Sequence, residues 1–361
     1  MNEQLLSYLK ESGDTVLSYY KENPPFPLTP KELMDGTFVY FERGGKRLRP
    51  AICRLAAGAL GGEEAEKAAV PCALALELYH NWTLIHDDMI DHDDLRRGKK
   101  AVHKLVSDEL ASETDEKTAV EYGFDTALLA GDALHSASIY YLSRLSDTGF
   151  VPADVTLKIL NLLEGEYGPR LISGETLDTK NGLIYGKSRF FDRSEDEVLF
   201  MMAGKTGALF AISALSGALI GARYADETKE ECAALARFAE SCGLAFQLQD
   251  DILGITSTEE KLGKPIGSDL REGKPTLLLL TAYKNATDEE KAFLRRTVGI
   301  STEEKDILRA REILLACGVK ETEERAKAFL EEAKESLSVL PDSPWKELLE
   351  AWRSFMLNRE M

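Results

Sequence analysis

Apolar side chains return every three to four residues along most of this chain, and the breaks in that rhythm are marked by proline, glycine or a capping residue. Leu5, Leu6, Leu9, Val16, Leu17 and Tyr20 fall on one face of a first amphipathic helix, which Pro24, Pro25, Pro27 and Pro30 end. Thr287 with Glu290 and Ser301 with Glu304 have the spacing of capping boxes, and Ser343 places a cap before Pro344 at the first helical position. Period-two alternation is almost absent, and no Asn-Gly turn lies between strand-like runs. The pattern predicts an all-α protein. The longest uncharged run, Thr206 to Ala222, falls short of the roughly 20 residues a spanning helix needs. Gly207, Ser213, Ser216, Gly217 and Gly221 also break it, so a buried core helix is expected and no transmembrane segment. Without a repeat or a Gly/Ser-rich linker, residues 1–361 are expected to form one domain.

Composition narrows the partners. With 44% hydrophobic and 29% charged residues the chain is ordinary globular protein with material for a sizeable core. A net charge of -18 argues against nucleic acid or an anionic membrane surface as a partner, so any anionic ligand must be held locally. Cys53, Cys72, Cys232, Cys242 and Cys317 form no CxxC pair and read as buried free thiols in a reducing compartment. Glu3 near the start and the lack of a following apolar stretch give no secretory pattern, which points to a cytoplasmic location. Residues 107–125, strongly acidic, read as a solvated surface excursion.

The candidate chemistry begins at Leu84 to Gly98, where Asp87, Asp88, Asp91, Asp93 and Asp94 are followed by Arg96 and Arg97. On a helix Asp87 and Asp91 share a face about 6 Å apart, and their carboxylates repel unless a cation lies between them. A second acidic stripe follows downstream, with Gln247, Asp250, Asp251 and Gly254 at i, i+3, i+4 and i+7. Oxygen-only ligands point to magnesium, which takes one or two carboxylates plus phosphate oxygens. Zinc has little support, because His86 and His92 have no HExxH or CxxC companion and read as supporting or surface residues. Gly44 to Pro50 brings Lys46, Arg47 and Arg49, and Lys205 and Lys264 add further cations. Arginine forks and lysine point charges suit phosphate oxygens, so the set predicts two diphosphate pockets, one bridged by metal and one not.

Those segments, together with Gly131-Asp132, Gly174 with Asp178, Lys205-Thr206-Gly207, Phe246 to Asp251 and Gly267-Ser268-Asp269 through Gly273-Lys274, resemble the trans-isoprenyl diphosphate synthases of the polyprenyl synthetase family. The likeness is in order over about residues 40–280, leaving 281–361 as C-terminal helices. It implies the isoprenoid synthase fold, a single large helical bundle around a central cavity. It also implies head-to-tail condensation of isopentenyl diphosphate with an allylic diphosphate by a homodimer. Asp87, Asp88 and Asp91 match one metal-binding motif and Asp250 and Asp251 the other, for Mg2+ at roughly three ions per site with Mn2+ able to substitute. Arg96, Lys205 and Lys264 match ligands of the allylic diphosphate. Lys46, Arg49, His80 and Arg97 match the isopentenyl diphosphate pocket, while Thr206 and Gln247 match positions beside the reacting carbons.

Three departures stand out: Gly254 where a third aspartate is usual, Glu175 where glutamine is usual, and the long acidic segment. By resemblance Trp82 and Thr83 set product length, with geranylgeranyl diphosphate favoured over farnesyl diphosphate. A helical wheel supports Thr83 but puts Trp82 about 140° from Asp87, where plain core packing is the competing account. A terpene cyclase of the same fold would need no Lys46, Arg49 or Arg97. A non-catalytic subunit of a heteromeric synthase would be expected to lack the aspartates or Lys205-Thr206.

Overall fold

The structure is a computed structural model, and it describes residues 2–183, 190–257 and 267–357. Helix α1 (Asn2–Glu22) stops two residues before Pro24 and buries Leu5, Leu9, Val16 and Tyr20. Leu6, one position round the helix, stays 51% exposed. Helices α2 (Lys31–Glu42), α3 (Leu48–Ala68) and α4 (Val70–Ile90) follow, and Pro71 sits in the first turn of α4, where its missing N–H costs no hydrogen bond. Next come α5 (Val102–Leu110) and α6 (Glu116–Ser143). The acidic 107–125 segment is therefore the end of α5, a turn and the start of α6, and most of it is exposed as expected. Asp115 caps α6 by accepting from the Thr118 N–H at 3.1 Å.

One short element was absent from the helical pattern. Leu95–Arg96 (β1) and Lys99–Lys100 (β2) pair antiparallel around Arg97 and Gly98, both with positive φ. Two left-handed residues in a two-residue loop make the turn that suits strand twist. Arginine at the first position hid it, since Asn or Asp usually marks such a turn.

The remaining chain is helical again: α7 (Ala153–Leu162), α8 (Gly168–Leu183), α9 (Glu195–Met202), α10 (Ala208–Ala222) and α11 (Glu230–Thr256), then six helices between Ser268 and Leu357. Single π turns, 163–167 and 203–207, join α7 to α8 and α9 to α10. The Thr287–Glu290 capping box forms with both arms, and Ser343 accepts from the Lys346 N–H at 3.2 Å. Ser301 departs from expectation: helix Glu304–Cys317 begins after Glu303, so Ser301 lies too far upstream to cap it and accepts instead from the Glu303 N–H at 3.2 Å. All five cysteines are free, four of them buried. Residues 195–222 are long and apolar enough to cross a membrane, but 72% of their apolar 18-residue window is buried in the protein, as a core helix would be.

Contacts divide the chain into two compact units. The first comprises Met1–Leu162, Ser213–Ala233 and Leu340–Leu348, and the second Leu163–Ile212, Ala234–Val339 and Leu349–Met361. Each buries its own large side chains, Tyr79, Tyr141, Phe38 and Phe41 in the first and Phe210, Phe238 and Trp352 in the second. In the first unit residues 213–222 of α10 press onto α3 without intervening side chains. A Cβ on Gly217 would collide with the Cys53 carbonyl, and one on Gly221 with the Ala57 carbonyl. Backbone cannot retreat as a flexible side chain can, so Gly217→Ala should lower unfolding free energy by about 2 kcal/mol or more, measured by urea titration.

Candidate active site

In the first unit the last turn of α4 carries the first aspartates. Asp91 caps that turn, its N–H donating to the Asp87 carbonyl at 2.8 Å, and its side chain faces solvent. Asp87 is partly buried and Asp88 fully so. Such charges need a counter-ion, and the chain supplies one itself: Arg96, held by the β1–β2 hairpin, donates from Nε to Asp88 Oδ1 at 2.7 Å and from Nη2 to Asp87 Oδ2 at 3.0 Å. Tyr40 donates its hydroxyl to the other Asp88 oxygen and accepts from the Val102 N–H at 3.2 Å. Burial still raises Asp88 above the ordinary carboxylate range, with Arg96 and Tyr40 opposing it.

The next arginine turns to other partners. Arg97 donates to the Gly44 carbonyl, and the loop it reaches contains Lys46 and leads into α3 through Arg47, which is left-handed at φ 44°. Left-handed Arg47 and Arg97 each cost about 1 kcal/mol, a strain typical of backbone held for a purpose. Arg47 itself is spent on structure, donating to the Gly13 and Phe41 carbonyls at 2.6 and 2.9 Å. Arg49, in the first turn of α3, and His80 on α4 share the field of Arg97. Burial holds the His80 imidazole well below its ordinary value, and Arg49, Arg97 and Arg96 push the same way, so the ring is neutral. Beneath these cations lies Glu77, 5% exposed and within electrostatic reach of Arg49, Arg47 and Arg97. A cavity of about 50 Å³ opens among Tyr40, Arg43, Leu84, Arg96, Arg97 and Lys99.

Trp82 and Thr83, expected from resemblance to set product length, sit one turn earlier on α4. Trp82 is packed rather than bare: its ring lies 4.8 Å from those of Tyr79 and His135 and 5.8 Å from that of His86. Thr83 donates to the His80 carbonyl at 2.8 Å. His86 also lies against Gly131 of α6, and His92 beside Phe124.

In the second unit the π turn Ala203–Gly207 carries Lys205 and Thr206. Its backbone meets α8 where Gly174 and Gly204 cross, and a Cβ on Gly174 would strike the Lys205 backbone nitrogen. Lys205 Nζ lies 2.6 Å from Asp178 and 3.1 Å from Glu175. Thr206 donates to Gln247 Oε1 at 3.2 Å, and Gln247 donates to Asp251 Oδ1 at 3.0 Å, so the residues predicted beside reacting carbons are linked to the second aspartate motif. Asp250 is partly exposed next to them. Burial pushes Asp251 up to about 7, against the pull of Lys274. Asp178, Met201, Met202, Lys205, Thr206, Gln247, Asp251, Lys274, Pro275 and Thr276 line a cavity of about 60 Å³, room for roughly two waters. Lys264 lies outside the described residues.

Four residues of these clusters were given no role from sequence: Tyr40, Glu77, Asp269 and Lys274. The last two fall in the Gly267-to-Lys274 segment, whose matching motif was the available signal. Asp269 Oδ2 lies 3.3 Å from where a Cβ of Gly254 would be, so a carboxylate from helix Ser268–Glu272 stands beside the position lacking its own. Tyr40 and Glu77 sit in apolar-periodic helices and had no such signal. Among the described residues no three His, Cys, Asp or Glu side chains converge as a ready-made metal cage. The donor sets still suit magnesium, which keeps several waters and draws its remaining ligands from substrate phosphates.

Comparison with known proteins identifies the family. Residues 30–314 match the polyprenyl synthetase family. The chain is 36% identical to a geranylgeranyl diphosphate synthase of Methanosarcina mazei, over 92% of each. It is 33% identical to a geranylfarnesyl diphosphate synthase of Aeropyrum pernix, over 92% of this chain and 96% of the other. The crystal structure of a geranylgeranyl pyrophosphate synthetase from Pyrococcus horikoshii superposes with a TM-score of 0.84 at 30% identity, covering 99% of both chains.

The buried carboxylate of Glu77 is testable without knowing any substrate. Glu77→Gln leaves three arginines facing one another and should cost about 2–3 kcal/mol of stability. Millimolar inorganic diphosphate, supplying the missing negative charge, should recover part of that in a thermal-shift measurement.

Proposed function

The chain belongs to the polyprenyl synthetase family and is a prenyltransferase, and from that premise we propose that it condenses isopentenyl diphosphate head to tail with an allylic diphosphate to give geranylgeranyl diphosphate. The observation that carries this reading is the divergence of Arg96 and Arg97. One closes on Asp87 and Asp88 and the other on the Gly44 loop, so a carboxylate-rich corner and a cation-rich corner stand side by side in one unit. A cyclase has one diphosphate to bind and no use for the second corner. A non-catalytic subunit has no use for the intact Thr206–Gln247–Asp251 chain.

Asp87, Asp88 and Asp91 of the first unit, and Asp250 and Asp251 of the second, are the residues that would hold magnesium, which would draw charge off a leaving diphosphate. Arg96, Lys205 and Lys264 are the proposed direct cation contacts to the allylic diphosphate. Fixed donors of this kind lower a barrier by roughly 3–4 kcal/mol each where water is excluded. As the allylic C–O bond breaks, Thr206 directs its hydroxyl proton to Gln247, which leaves its oxygen lone pairs able to face the carbocation. Lys46, Arg49, His80 and Arg97 are assigned to isopentenyl diphosphate, whose double bond attacks the cation. The departing diphosphate then accepts the proton that is lost.

Support for the product comes from relatives named for geranylgeranyl and geranylfarnesyl diphosphates and from a bulky Trp82 beneath the first aspartates. Assembly as a homodimer is part of the proposal, supported by Val120, Leu128 and Leu129 exposed along α6. Sedimentation of the purified chain distinguishes one copy from two.

Incubation with magnesium, isopentenyl diphosphate and dimethylallyl, geranyl or farnesyl diphosphate should yield an elongated prenyl diphosphate. No elongation from any primer would refute the assignment. Trp82→Ala should lengthen the main product by at least one isoprene unit. An unchanged product with a lowered melting temperature would instead make Trp82 a packing residue of the Tyr79–His135 cluster.

A further inference from the structure

Lys205 is held by two carboxylates although one would neutralise it. Glu175 and Asp178 stand one turn apart on α8, at i and i+3, and so share a face. Their oxygens lie 3.1 and 2.6 Å from Lys205 Nζ. The close crossing of Gly174 and Gly204 brings the two backbones together, so a side chain at 175 of this length meets the lysine. The three side chains are 21, 14 and 26% exposed in the order Glu175, Asp178 and Lys205, buried enough that solvent screens them only partly. Nearby, Lys274 faces Asp269 and Asp251. Among the described residues Lys205 therefore faces two carboxylates, and Glu175 adds a second negative charge beside it.

We infer that Glu175 is an electrostatic counterweight on Lys205, weakening the grip of this cavity on a diphosphate and easing its release. The inference rests on the proposed contact between Lys205 and the allylic diphosphate. An anion reaching Lys205 must approach Glu175 as well, and the lysine donor given to Glu175 must be surrendered to it. Glutamine of the same length keeps an oxygen for Lys205 but removes the charge, and so separates repulsion from positioning. Asp178 remains the closer partner and keeps Lys205 in place.

Calorimetric titration of inorganic diphosphate at fixed magnesium is the direct test. Glu175→Gln should bind it about threefold to tenfold more tightly than the parent chain. The KM for the allylic diphosphate should fall by a similar factor, while that for isopentenyl diphosphate, whose proposed ligands do not include Lys205, changes less than about twofold. Glu175→Asp, which retains the charge, should stay near the parent affinity, and Glu175→Ala should tighten binding as glutamine does. Unchanged or weaker diphosphate binding in the Gln and Ala variants overturns the inference, as does an equal fall in both KM values. Should the parent chain elongate no primer, the functional assignment fails, yet the inorganic diphosphate titrations still decide what Glu175 does.

Discussion

Carboxylates gathered in one corner repel one another, and the structure around them depends on cations from the same unit to prevent it. Arg96 lies across Asp87 and Asp88, Lys205 lies between Glu175 and Asp178, and Lys274 faces Asp251 and Asp269. Each pairing is also a reserve of binding groups, because a lysine or arginine already pointed into a cavity needs little reordering to meet a phosphate. The stronger the internal pairing, the more a ligand must offer to replace it. Glu77 shows the converse arrangement, one buried carboxylate among three arginines that would otherwise repel.

Backbone geometry makes these pairings possible. Arg47 and Arg97 adopt left-handed conformations that disfavour ordinary residues, and each lies inside a cationic loop. Glycine at 174 and 204 lets α8 and the 203–207 π turn touch, which places Lys205 beside Asp178. The second device works through absence of a side chain and the first through tolerated strain, but both fix where a charge is delivered.

Much of this was legible in the residues themselves. The helices, their caps at Thr287 and Ser343, the core helix after Thr206 and both aspartate stripes follow from spacing alone, because helix periodicity and capping are local and need no knowledge of partners. The β1–β2 hairpin escaped because its turn uses arginine, and Ser301 misled because a capping pattern does not say which of several starts a helix takes. Tyr40 and Glu77 look like ordinary helix residues in sequence. Only packing shows that one anchors Asp88 and the other lies beneath the arginines.

The sequence by itself determined the helical class, the family and the kinds of group present: hard oxygen donors, clustered cations and two dipolar side chains at Thr206 and Gln247. Tertiary structure decided which of those groups meet. Arg96 was expected to face a ligand and is found bridging two aspartates, Glu175 was an unexplained departure and is found on Lys205, and Trp82 is found packed against His135. Residue type and helical period are carried by neighbours a few positions apart. The partner of a charged side chain is chosen across distances of tens of residues, by the approach of backbones that no local pattern records.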